Sequence, residues 1–178
     1  MKYSIYPIIE LMNDHGEDAV HNMLGSFRCS KDQDRESFLH DKAIMMEKRT
    51  MSRTYIAVLD DGSITGYFSV GMKCMSIPDD VPISNTLRKK LNVNNESGIA
   101  QMYLLGQLAR SDDSEPGVGA RLLDDALDII YRAFMAVGCR AVRIDCTDEL
   151  LPYYKKHGFT FINKNTSDNL NRLVILLD

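Results

Sequence analysis

The sequence contains no apolar run long enough to span a bilayer, and its first twelve residues (MKYSIYPIIELM) are broken by Pro7 and Glu10 before a signal-like stretch can form. These absences predict a protein with no membrane partner and a cytoplasmic location. The four cysteines, Cys29, Cys74, Cys139 and Cys146, have no paired spacing, and no histidine stands at ligand distance from them. A disulfide framework and a zinc site are therefore not expected; reduced, mostly buried thiols and no metal are. There is no internal repeat and no low-complexity tract. Neither sign of charge dominates: the formal net charge of -4 argues against wholesale coating of nucleic acid or an anionic membrane, while a local basic patch would not show in the total.

What is present is a chain of 178 residues, 44% hydrophobic, which predicts one domain over residues 1–178 with a sizeable core. After an opening strand-like segment, Ala19, Val20, Met23, Leu24 and Phe27 recur at spacings of three and four, the pattern of an amphipathic helix over residues 16–27. Residues 29–35 read as a polar connection. Phe38, Leu39, Ala43, Met45 and Met46 mark a second helix over 37–49, closed by the cations Lys48 and Arg49. Residues 55–59 and 64–70 read as a hairpin around Asp60-Asp61-Gly62. Pro78, Pro82, Asn92, Asn94 and Asn95 make residues 72–98 mostly loop, with a short helix over 84–91. An apolar strand over 100–109 reads as central. Beyond it Leu122, Leu123, Ala126, Leu127, Ile130, Phe134 and Val137 trace one face of a long helix that stops at Gly138. Strands over 140–146, 159–163 and 172–177, with a helix over 149–157 carrying Pro152 near its start, complete the chain. The strand–helix–strand unit after Ala100 requires a parallel pairing, so the sheet is expected to be mixed.

Between the central strand and the long helix lies Glu115-Pro116-Gly117-Val118-Gly119-Ala120. Main-chain N–H groups at Gly117, Val118, Gly119 and Ala120 would sit where a helix begins, and the helix dipole adds positive potential there, so the turn reads as a cradle for a phosphate-bearing ligand. An ordinary helix start after a loop is the plain alternative. The turn is not a P-loop, because no Gly-Lys-Ser/Thr follows, and a dinucleotide site is disfavoured by the missing third glycine.

Residues 104–109 (LLGQLA), 117–123 (GVGARLL), 141–145 (AVRID) and Tyr154 followed by Gly158-Phe159 stand in one register. In these places the chain resembles the GNAT superfamily of acetyl-coenzyme A-dependent N-acetyltransferases. Phe38-Leu39, Ala43 and residues 51–57 (MSRTYIA) resemble the branch that includes toxin acetyltransferases acting on aminoacyl-tRNA; together the likeness spans residues 27–160. It implies an α/β fold with a GNAT-like mixed central sheet, antiparallel in its N-terminal half and parallel in its C-terminal half, split near the coenzyme site and flanked by helices. It also implies acetyl-CoA as cosubstrate, held at Leu108, Ala109, Gly117, Val118, Gly119 and Ala120, with an oxyanion donor from the main chain of the strand ending at Leu108 and Ala109.

Tyr154 is the general acid that the resemblance implies. A phenol is protonated at neutral pH and can give its proton to a departing thiolate. Simple packing is the plain alternative, and the spacing to Gly158-Phe159 selects Tyr154 over Tyr153. No base is assigned; Asp145, Glu149 and His157 are candidates, and an already neutral amine needs none. The acceptor is a primary amine on a small molecule, a protein or an aminoacyl-tRNA, and a second copy of the chain and an antitoxin are further partners to consider. Lys48, Arg49, Arg53, Lys155 and Lys156 could rim a tRNA acceptor end, with solvated helix ends as the simpler reading.

The chain departs from the family where Arg or Gln usually opens the glycine turn: here that place is Ser114. Glu115 adds a negative charge and Pro116 lacks an N–H. Weaker coenzyme binding is the expected result. The same departure motivates an alternative: a degenerate, non-catalytic acyl-CoA-binding or protein-interaction module.

Overall fold

In the computed structural model, which describes residues 2–178, the helices are α1 (Ile8–His15), α2 (Glu17–Leu24), α3 (Gln33–Ser37), α4 (Ala43–Lys48), α5 (Asn85–Lys90), α6 (Val118–Val137) and α7 (Leu151–Lys156). The strands are β1 (Tyr3–Pro7), β2 (Ser52–Leu59), β3 (Ile64–Ser76), β4 (Ile99–Arg110), β5 (Ala141–Cys146), β6 (Thr160–Lys164) and β7 (Asn171–Leu176). They form one mixed sheet in the order β1-β2-β3-β4-β5-β7-β6, with β4 in the middle as its apolar sequence predicts. β1, β2 and β3 pair antiparallel, β4 and β5 parallel. β5 and β6 run in the same direction, and the last strand, β7, lies antiparallel between them. By its contacts the chain divides into two compact units: residues through Gly71 with Gly106–Asp128, and Met72–Leu105 with Ile129–Asp178.

In the first unit the turn between β2 and β3 forms as expected. Gly62 takes φ 85° and the Asp61 carboxylate accepts both the amide (2.9 Å) and the hydroxyl (2.6 Å) of Ser63. The helical entry is longer than the sequence reading allowed. Gly16, taken there as the start of a helix, is a left-handed break (φ 85°) between α1 and α2. α1 begins directly after Pro7, a residue tolerated at a helix start because its missing N–H has no intrahelical acceptor there. The expected connection over 29–35 is likewise shortened, because Asp32 accepts the Arg35 amide (3.2 Å) and starts α3 at Gln33. Between α3 and α4 the helix widens to a π turn at Phe38–Lys42.

The core of this unit gathers Ile8, Val20, Leu24, Phe27, Leu39, Ala43, Ile56, Tyr67 and Ala109. Tyr67 sits between Phe27, edge-on at 5.4 Å, and Phe38, stacked at 6.2 Å. Gly66 beside it is required by space: a Cβ there would lie 2.4 Å from Leu122 Cδ1 of α6 and 2.7 Å from the Ala109 carbonyl oxygen of β4. Gly66→Ala should cost about 1–3 kcal/mol by forcing α6 off the sheet, read as a lower midpoint of urea unfolding with an unchanged slope.

The core of the second unit is Met75, Ile77, Leu91, Ala100, Met102, Ala141, Ile162 and Val174. Residues 77–98 cover it as a loop carrying α5. Ser84 caps that helix through the Leu87 amide (3.1 Å), and Arg88 donates to the carbonyls of Ile77 and Pro78 (2.8 Å each). Gly138 ends α6 at φ 82°, and its carbonyl accepts the Tyr103 hydroxyl at 2.8 Å. Within the sheet, Arg143 is 2% exposed and grips Asp145 through two bonds, Nε to Oδ1 at 2.7 Å and Nη2 to Oδ2 at 2.6 Å. Cys29 and Cys146 are buried, Cys139 is half-buried, Cys74 is exposed, and none is in a disulfide. Among the described residues no helix is long and apolar enough to cross a membrane.

Candidate functional site

The glycine turn in the first unit grows out of the end of β4. The Ser111 amide donates to the Thr65 carbonyl of β3 (2.9 Å), and Asp112 fixes the loop by accepting from the Ser30 amide (3.0 and 3.1 Å). Ser114, standing where the resembling family has a long polar side chain, closes the bend: its hydroxyl donates to the Ser111 carbonyl (2.6 Å) and accepts from Arg110 Nη1 (2.9 Å). A guanidinium from the end of β4 thus reaches the turn that Glu115 makes negative.

Gly117 has φ 88°, a conformation costly for any residue with a Cβ, and nothing lies within 4 Å of where that Cβ would be. Its carbonyl accepts the Arg121 amide (3.2 Å), so α6 begins at Val118. The Val118 amide donates to the Glu115 carbonyl at 3.3 Å and its side chain is buried, while Gly119 and Ala120 are half-buried in the first helical turn. First-turn amides have no intrahelical acceptor. An exposed, side-chain-free bend leading into a helix start fits a phosphate group.

Leu108 and Ala109 are buried in β4. The Leu108 carbonyl accepts Arg35 Nη1 at 2.6 Å; Arg35 pairs with Asp32 (Nε to Oδ2, 3.0 Å), and the Arg35 carbonyl accepts the Tyr67 hydroxyl (2.7 Å). Burial is the chief cause of the raised pKa of Tyr67, so this phenol keeps its proton and remains a donor.

In the second unit, Tyr154 is 2% exposed on α7, its ring edge-on to Tyr153 at 5.1 Å and to Phe159 at 5.7 Å. Two features put it there. Before α7, the Asp148 carboxylate accepts Lys164 Nζ (2.7 and 2.9 Å) and Asn171 Nδ2 (2.7 Å), and these partners, Lys164 first, hold it below the usual carboxylate range. After α7, Gly158 at φ 87° turns the chain so that the Phe159 amide donates back to the Tyr154 carbonyl (3.1 Å). The spacing of Tyr154, Gly158 and Phe159 is therefore the spacing of a helix, its left-handed stop and the ring that packs back on it.

The base candidates fare unequally. Asp145 is taken by Arg143, His157 lies against Tyr153 with ring centroids 4.5 Å apart, and Glu149 is exposed. Of the proposed basic rim, Lys48 pairs with Glu17 (2.7 Å), Arg53 pairs with the fully buried Glu47, and Lys155 lies over the Phe161 ring (5.7 Å). Sequence reading missed Arg143 and Arg35. The first had a signal, since a charge pair two residues apart in an apolar strand must share one face. The second had none, because Leu108 is 73 positions away.

Over nearly its whole length the chain has the GNAT-like mixed α/β fold expected from the sequence, and solved structures share it. It is similar to AtaT complexed with acetyl-methionyl-tRNAfMet, at 21% identity and a TM-score of 0.76 over 98% of this chain and 95% of that one. It is similar to a tyrosine-to-phenylalanine mutant of KacT, at 20% identity and a TM-score of 0.76 over 99% and 95%. It is also similar to a mutant AtaT toxin bound to the C-terminus of the antitoxin AtaR and acetyl-CoA, at 19% identity and a TM-score of 0.70 over 99% and 94%. No family model and no curated protein matches the sequence.

Proposed function

We propose that this protein is an acetyl-CoA-dependent N-acetyltransferase whose acceptor is the amino group of an aminoacyl-tRNA, acting as a toxin held in check by an antitoxin. The carrying observation is the near full-length likeness to AtaT with acetyl-methionyl-tRNAfMet, supported by antitoxin and acetyl-CoA on the related AtaT structure. A fold alone hosts many activities, so the residues must do the rest.

Acetyl-CoA supplies an acyl group activated as a thioester. Gly117, Gly119 and Ala120 would hold its phosphates at the start of α6, where the Val118 amide already donates to the Glu115 carbonyl, and the main chain at Leu108, beside Ala109, would bind at the reacting carbonyl. Attack of the amine on the thioester carbonyl would form the C–N bond and an oxyanion. As that collapses and the C–S bond breaks, Tyr154 would give its phenolic proton to the departing sulfur, the amine's proton would leave to water, and the phenolate would regain a proton from water. With Asp145 committed to Arg143, the amine attacks in its neutral form without a carboxylate base on β5.

Incubation with labelled acetyl-CoA, total aminoacylated tRNA and a panel of small amines tests the proposal. N-acetylaminoacyl-tRNA is the expected product. Label on small amines alone would move the acceptor, and binding without coenzyme release would leave a non-catalytic module. Gly117→Val should cost about 1–3 kcal/mol of stability from its left-handed φ and lower acetyl-CoA affinity roughly tenfold or more by placing a branched side chain over the helix start, measured by calorimetry.

A further inference from the structure

On the side of β4 turned away from β3, beyond its paired stretch with β5 at Tyr103–Leu105, Leu108 carries more than its main chain. The Ser111 amide donates to Thr65 at the start of β3 and the Ile77 amide, just past its end, to Gly98 just before β4, so β3 and β4 run antiparallel, and in such a ladder the residues facing a given neighbour alternate. The main-chain groups of Ala109 therefore face β3 as well, in agreement with the Ala109 carbonyl oxygen lying 2.7 Å from a Cβ built on Gly66. Those of Leu108 point to the opposite edge. There the Leu108 carbonyl is not bare: Arg35 Nη1 donates to it at 2.6 Å, a short charge-assisted bond. Of the two residues expected to supply a main-chain donor, the alternation selects Leu108.

A strand edge presents N–H and C=O together. An oxyanion at the Leu108 N–H would be repelled by the neighbouring carbonyl dipole unless that dipole were neutralised. We propose that Arg35 is a positioning residue for acetyl transfer, capping the Leu108 carbonyl so that this edge of β4 becomes a net donor and the Leu108 N–H can hold the developing oxyanion. The inference rests on the acetyltransferase reading.

Arg35 is built to stay in place. Its Nε pairs with Asp32, Asp32 also accepts the Arg35 amide, and the Arg35 carbonyl is held by the Tyr67 hydroxyl. Its side chain is 23% exposed, so the guanidinium acts in a medium that screens it less than bulk water does.

The experiment compares Arg35→Met, Arg35→Lys and, as a stability control, Ile56→Val, a core change in the same unit. kcat and KM for acetyl-CoA are measured with aminoacylated total tRNA, and the carbonyl stretch of bound [1-13C]acetyl-CoA is read by isotope-edited infrared spectroscopy. Arg35→Met should lower kcat roughly ten- to hundredfold, less than loss of a direct oxyanion donor, with KM little changed and the carbonyl stretch moved toward its free value. Arg35→Lys should recover part of both losses. A kcat for Arg35→Met no lower than that of Ile56→Val, or an unmoved carbonyl stretch, overturns the inference and leaves the acetyltransferase reading standing. If Arg35→Met does not fold, Arg35→Lys decides by the same two readouts. Failure of the unaltered protein to turn over acetyl-CoA overturns the acetyltransferase reading itself, and the inference with it.

Discussion

Tyr154→Phe is expected to lose roughly 10²–10⁴-fold in kcat, the usual contribution of a positioned general acid, while acetyl-CoA affinity stays nearly constant. The substitution removes one oxygen and keeps the ring. Tyr154 is 2% exposed, and its edge-on contacts with Tyr153 and Phe159 are ring contacts that phenylalanine keeps. Loss of kcat at constant affinity is the signature of an interaction made in the transition state. Single-turnover transfer to aminoacyl-tRNA, with calorimetry of acetyl-CoA, separates the terms. An unaltered rate would remove the acid role.

Asp145→Ala should be the most destabilising change, at about 3–5 kcal/mol, because it strands the Arg143 charge. Arg143 is 2% exposed, and without Asp145 it would keep its bond to the Cys74 carbonyl (3.3 Å) but no counter-charge on β5. Replacing both partners, Arg143→Met with Asp145→Leu, should recover most of the loss, since an ion pair of this kind often contributes no more than well-packed apolar side chains. Urea unfolding of the single and double variants checks both statements. Should Asp145→Ala retain its kcat per folded molecule, the carboxylate's work is structural, as its bidentate bond to Arg143 indicates.

The sequence makes the second half of the chain easier to read than the first. The long helix ends at Gly138 as expected because glycine at a left-handed stop is a local rule, and the strand beside it is central because few polar residues interrupt it. The entry fails where two local signals compete. Gly16 suits a helix end and a helix start equally, and Pro7 is compatible with the last residue of a strand and with the residue before a helix. The place of β7 between β5 and β6 depends on a pairing between distant segments that no periodicity records. At the site the same division holds. The left-handed glycines at 117 and 158 are local requirements and are legible as motifs. The grip of Arg35 on Leu108 and the clearance at Gly66 arise from strands and helices brought together only by folding.

Arg53 is not a charge the protein can lend. Glu47, with no exposed side-chain surface, accepts from Arg53 and from the Thr54 amide at 2.9 Å, so drawing the guanidinium away would leave a buried carboxylate without its counter-charge. Lys48, by contrast, is paired with Glu17 across two half-exposed side chains, a contact weak enough to exchange for another anion. Each phosphate neutralised adds roughly 0.7–0.9 to the slope of log affinity against log salt. For an RNA partner of the kind proposed, Lys48 can add to that slope and Arg53 cannot, so attraction to RNA should decline with ionic strength more gently than the count of basic residues suggests.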